Sequence, residues 1–228
     1  MLLSGATAGA DASFSRGALC AGHEVIHLLG PRNTADEAVL REQPQCVYRV
    51  SDALLEGQVV SHAFERVLAQ RCKPGTSYDS DRAAWRDVRR NFLQVCHADA
   101  VYVVAYRTEG QPGLDIGGGT GWACQFYLNR FSRAEPPTGA CNLFFFDDGS
   151  NEAPGCLIDP ATWRRWSRWS LGSQSWEPMA GRPPVPAGLS KYAGIGSSFL
   201  SEHGEDAIRL LFNSDSSHTS SSVPIGCA

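Results

Sequence analysis

Ala98-Asp99-Ala100-Val101-Tyr102-Val103-Val104-Ala105-Tyr106, followed after a loop by Ile116-Gly117-Gly118-Gly119-Thr120-Gly121-Trp122-Ala123, sets the architecture of this chain. Val101 to Val104 is apolar at every position, with no alternation of inside and outside. A strand of that kind has both faces covered, as a central parallel strand does. The glycine run then makes a turn into a helix with Trp122, Ala123, Phe126 and Tyr127 on its apolar face.

The same rhythm extends outward in both directions. Upstream, Trp85, Val88, Phe92 and Val95 recur at three- and four-residue intervals, an amphipathic helix that Asp81 is placed to cap. Downstream, Asn142–Phe146 reads as a strand stopped by Asp147-Asp148-Gly149. At the start, Met1–Leu3 enters a glycine-bearing turn, a helix is expected from about Asp11 to Ala21 with Gly22 as its stop, and Glu24–Leu29 is a strand. Residues 32–45 read as irregular, Cys46–Val50 as a strand, and Ser51 or Asp52 as the cap of one long helix reaching Cys72. Near the end come a strand at Lys191–Ile195 and a helix from about Phe199 to Phe212. Alternation of this kind predicts an α/β fold, Rossmann-like, three layers α/β/α around a mainly parallel sheet. One domain over 1–212 is expected, with a core of 1–146 plus 190–212, an excursion at 150–189, and a Ser-rich flexible tail at 213–228.

Composition narrows the function classes without naming one. With 20 Lys+Arg against 24 Asp+Glu the net charge is −4, poorly suited to capturing nucleic acid over a whole surface. No stretch approaches the roughly 20 apolar residues of a membrane span. Met1-Leu2-Leu3 lacks a basic region and a long apolar run, so no signal peptide is expected, and a cytoplasmic location is. The eight cysteines form no C-x-x-C pair, which favours scattered core thiols and predicts no metal site.

Three strand-to-helix turns are rich in glycine: Ser4–Asp11, Ile116–Gly121 and Ala193–Ser198. In a parallel sheet such turns share the carboxyl edge, where ligands bind. Glycine admits close backbone approach, and a helix start offers free N–H groups to an anion. Each turn taken alone is equally what a tight βα connection needs. Together they favour a phosphate-binding edge, although none fits G-x-x-x-x-G-K-[ST].

Four of these segments are familiar. Ser4-Gly5-Ala6-Thr7-Ala8-Gly9-Ala10-Asp11, Arg90-Asn91-x-x-x-Val95 with Ala98-Asp99-Ala100-Val101, Gly118-Gly119-Thr120-Gly121-Trp122-Ala123, and Tyr192-Ala193-Gly194-Ile195-Gly196-Ser197-Ser198 resemble motifs of the SLOG superfamily, which includes DprA/Smf-like and LOG-like domains. The last motif usually opens the domain; here it closes it, so the chain resembles a circularly permuted, YpsA-like member. The resemblance implies a nucleotide or phosphorylated nucleoside derivative as ligand, or a bound phosphate or sulfate, and no other cofactor. It implies ligand contacts at Gly5, Thr7, Gly9, Asp11, Arg90, Asn91, Gly118, Gly119, Thr120, Gly121, Gly194, Gly196 and Ser197.

The LOG branch hydrolyses the N-glycosidic bond of nucleoside monophosphates with a glutamate after its glycine loop. Here the helix runs Trp122-Ala123-Cys124-Gln125, without an acid, which counts against that activity. The acids left near the edge are Asp11, Asp115, Asp147 and Asp148; Asp11 is the candidate for catalysis and equally suits a ribose contact or a helix dipole. Arg90 suits a phosphate or a structural carboxylate, and Asn91 a base or a loop. Asp147-Asp148-Gly149 reads as a plain turn, and His23 and His27 as structural residues. Trp163, Trp166 and Trp169 with Arg164, Arg165 and Arg168 invite stacking on single-stranded nucleic acid, the DprA-like reading. Their three-residue spacing suits a helix or 3₁₀ turn packing its indoles inward, with self-association into a homo-oligomer as a third reading.

Overall fold

The computed structural model describes residues 1–30, 40–41, 46–72, 83–108, 114–131, 141–149, 156–157, 164–185 and 190–213. Asp81, Trp163 and the tail beyond residue 213 lie outside them. Its elements are β1 (Leu2–Ser4), α1 (Ala10–Cys20), β2 (Val25–Leu29), β3 (Val47–Arg49), α2 (Asp52–Leu55), α3 (Gln58–Arg71), α4 (Ala83–Val95), β4 (Ala100–Ala105) and β5 (Arg107–Thr108). There follow α5 (Gly118–Leu128), β6 (Leu143–Asp147), β7 (Cys156–Leu157), β8 (Trp166–Ser170), β9 (Ser175–Pro178), β10 (Tyr192–Gly196) and α6 (Glu202–Phe212).

The fold is α/β and Rossmann-like. Eight strands form one sheet in the order β3-β2-β1-β10-β4-β6-β8-β9; the first six run parallel and the last two antiparallel. The apolar run at 101–104 is explained by its place. Val101 and Val103 face one core, with α3, α4 and α5, while Tyr102 and Val104 face the other, with α1 and α6. Both faces are dry, so both parities are apolar.

β10, late in the chain, lies between β1 and β4, with Tyr192 opposite both Leu2 and Ala100. Glycine is required here for packing: a Cβ on Gly194 would lie 2.3 Å from the Phe14 ring, and one on Gly196 would lie 2.1 Å from the Val104 carbonyl oxygen. The Phe212 ring, at the end of α6, sits 6.3 Å from the Tyr192 ring, and the Met1 ammonium donates to the Ser190 carbonyl. Residue 1 and the end of α6 therefore meet at the amino edge of the sheet. At the opposite edge, the helix after β10 lies on one face and the helix after β4 on the other, so the chain opens a crevice between these strands.

Two expectations need correction. The helix expected from Ser51 to Cys72 is broken. Ser51 caps α2 by accepting from Leu54 N–H, and Gly57, in extended geometry (ψ 148°), starts α3 afresh. The Trp/Arg segment is a β-hairpin and not a helix. Three-residue spacing places Trp166 and Trp169 on opposite faces of β8: Trp166 packs on Phe146, while Trp169 packs edge-on against Trp176. All three indoles are buried, which removes them as platforms for stacked bases. Arg168 stays at the surface and ties β8 to the Cys141 carbonyl and the Asn142 side chain. Residues 179–185, after β9, carry no regular structure. Among the described residues no helix is long and apolar enough to cross a membrane.

Candidate functional site

A cleft of about 370 Å³ opens over the crevice between β10 and β4. Its walls come from the β1 turn (Thr7, Asp11), from α4 (Asp87, Arg90, Asn91, Gln94), from the α5 turn (Gly117 to Thr120), and from the β10 turn (Gly196 to Ser198). All three glycine turns read from the sequence thus reach one site. Strain gathers there too: Ala6 at φ 51° and Asp115 at φ 53° hold left-handed backbone without being glycine.

The β1 turn does not offer its N–H groups outward, as the sequence reading expects. Ala6 donates to Ser4 Oγ and Ala10 donates to the Ser197 carbonyl, while the N–H groups of Gly5 and Thr7 act on the Asp11 carboxylate and favour its ionised form. The turn is wrapped around Asp11 instead. Burial pushes the Asp11 carboxyl up to about 6, against the opposing pull of Arg90 and the N–H groups of Gly5, Gly196 and Thr7.

The α5 turn is the open one. Gly117 is an N-cap without a side-chain hydrogen bond, so the first-turn N–H groups of Gly118, Gly119 and Thr120 have no intrahelical acceptor. Arg71 of α3 holds the turn from behind by donating to the Ile116 carbonyl. Asn91 Nδ2 donates to the Gly119 carbonyl at 3.1 Å, and Thr120 Oγ1 donates to the Gly196 carbonyl at 2.9 Å. Thr120 and Asn91 thereby position the loops as well as line the cleft.

Arg90 stands in the wall with its side chain 7% exposed. Its Nη1 donates to Gln94 Oε1 at 2.9 Å and lies 3.9 Å from Asp11 Oδ2, and its Nε has no hydrogen-bond partner among the described residues. Asp87 is raised by burial and lowered by Arg90. Gly30 makes room for it, since a Cβ there would lie 2.7 Å from Asp87 Oδ1.

Of the expected site residues, Thr7, Asp11, Arg90, Asn91, Gly118, Gly119, Thr120, Gly196 and Ser197 line the cleft. Gly5, Gly9, Gly121 and Gly194 do not; each is a glycine because another group occupies the space of a Cβ. Those groups are Arg90 at Gly5, the Ser197 carbonyl at Gly9, the Ile116 carbonyl at Gly121 and Phe14 at Gly194. Sequence reading missed Asp87 and Gln94. They stand three before and four after Arg90, on one helical face, and that spacing is the signal that finds them. Gln125, in the helix where the LOG branch has its acid, donates to Asn129 Oδ1 and is not among the residues lining the cleft.

Two other acids of the edge are committed elsewhere, and Asp115 does not line the cleft. Asp147 faces Arg107 at 3.5 Å, and Asp148 accepts from the N–H and hydroxyl of Ser201, the cap of α6. His23 bonds the Tyr192 hydroxyl, and His27 is fully buried in the sheet. Cys20, Cys46, Cys72, Cys96, Cys124 and Cys141 are free thiols. Among the described residues no group of three or more His, Cys, Asp or Glu is arranged to hold a metal ion. No family model, curated protein or solved structure matches the chain.

Proposed function

We propose that the protein binds a nucleotide or a phosphorylated nucleoside derivative, with the phosphate at the α5 turn and Arg90. One observation carries this reading: the open helix start at Gly118–Thr120 and the buried cation Arg90 line the same cleft. A helix start and a guanidinium are two independent anion-binding devices, and the cleft has the size of a small-ligand pocket. The motif resemblance to the SLOG superfamily, in permuted order, supports the same ligand class. Calorimetric titration with nucleosides, nucleoside mono- and diphosphates and dinucleotides tests it. Heat is expected only from the phosphorylated compounds; silence from all of them contradicts the reading.

A second reading has its own observation. A carboxyl pushed up to about 6 is poised to exchange a proton near neutral pH, and Asp11 lines the cleft. Beside a bound sugar it would serve N-glycosidic hydrolysis, stabilising an oxocarbenium-like state when ionised. Release of free base from nucleoside monophosphates, abolished in Asp11→Asn, is the result this reading predicts. Binding without base release leaves the protein a binder and removes the second reading.

A further inference from the structure

We infer that Gln94 is a positioning residue that holds the Arg90 guanidinium ready for an anion without neutralising it. The inference rests on the proposed phosphate site and adds a residue that motif matching does not mark. Gln94 is fully buried. Its Oε1 accepts from Arg90 Nη1 at 2.9 Å, and its Nε2 donates to the carbonyls of Gly194 at 3.0 Å and Leu3 at 3.4 Å. An arginine only donates and a carbonyl only accepts, so a side chain between them needs both functions, as an amide has. Gln94 thus pins Arg90 to the adjacent strands β1 and β10.

The charge of the partner matters as much as its reach. A carboxylate at Oε1 would cancel the cation before any ligand arrived. The nearest carboxylate in place, Asp11, stands 3.9 Å away, beyond hydrogen-bond distance. The neutral amide takes the close contact, so the cation stays available to a ligand phosphate. Other charged groups act on Arg90 from further off: Asp87 on α4 and Asp11 on α1 both attract it.

The test reads Arg90 by ¹⁵N NMR, with inorganic phosphate as the probe. In the wild type, separate and slowly exchanging Nη signals are expected, as for a held guanidinium, and they shift on adding phosphate. Gln94→Leu is expected to merge the Nη signals and to weaken phosphate at least tenfold. Gln94→Glu, which still accepts from Arg90 but can no longer donate to the Gly194 and Leu3 carbonyls, is expected to keep separate Nη signals and still weaken phosphate. Averaged Nη signals in the wild type overturn the inference without any variant. Unchanged signals and affinity in Gln94→Leu overturn it while leaving the phosphate site standing. A held Arg90 that never responds to phosphate overturns the proposed site, and with it the ligand role of Gln94.

Discussion

Gly5→Ala is expected to weaken a phosphate-bearing ligand at least tenfold while leaving the sheet assembled. The added Cβ would stand 1.8 Å from Arg90 Nη1 and 2.5 Å from Asp11 Oδ2, far inside contact distance. Both atoms belong to side-chain ends, so the backbone can stay and the guanidinium must leave. Overpacking of this kind costs roughly 1–3 kcal/mol of stability. The loss of one charge-assisted bond to phosphate, about 1.5–3 kcal/mol, accounts for a tenfold or greater loss of affinity. A double-mutant cycle isolates the cause: in an Arg90→Ala background, Gly5→Ala is expected to add no further loss of affinity. Gly118→Ala is the contrasting control. Its φ of +58° strains an alanine, yet its Cβ would meet nothing within 4 Å, so the cost is backbone strain of roughly 1–2 kcal/mol.

The second large effect is on stability and depends on pH. The folded state raises the Asp11 carboxyl from 3.8 to about 6, so folding disfavours its charged form. The penalty is absent below about pH 4, grows between about pH 4 and 6, and is complete by pH 8. Asp11→Asn removes the charge. It is therefore expected to stabilise the protein at pH 8 by about 2 kcal/mol, and to leave it nearly unchanged at pH 4. In thermal melts that is roughly 4–8 °C at pH 8 for a chain of this size. The asparagine amide turns a donor toward N–H groups that favour the carboxylate, which holds the gain below the full value of the shift. A gain of equal size at both pH values, or a loss at pH 8, would contradict this account of Asp11.

The fold was legible where one signal dominated. The unbroken apolar run Val101–Val104 has no reading except a strand covered on both faces, and it is the middle of the sheet. The hairpin at β8 and β9 was not legible, for a related reason. Trp166 and Trp169 are both buried because β8 also has core on both sides, so the alternation that marks a strand is erased. What remained was a three-residue spacing, which imitates a helix. Glycine carried a similar ambiguity at the site. Gly5, Gly121 and Gly194 read as places where a ligand approaches, whereas protein groups fill those spaces. Asp87 and Gln94 were within reach, since they share a helical face with Arg90, but that face became visible only once α4 was seen to line the sheet edge.

The donors of the two main turns separate in the same way. Ser4–Asp11 and Gly117–Gly121 look alike as strings, yet the first folds around an acid of its own and the second carries none. The N–H groups of Gly5 and Thr7 act on Asp11, whereas those at the start of α5 have no acceptor within the helix. That asymmetry leads to the most direct measurement. Backbone amide shifts followed while a nucleoside monophosphate is added are expected to move at Gly118, Gly119 and Thr120, with Arg90 Nε, and far less at Gly5 and Ala6. Shifts confined to other surfaces, or none at saturating nucleotide, would contradict the account.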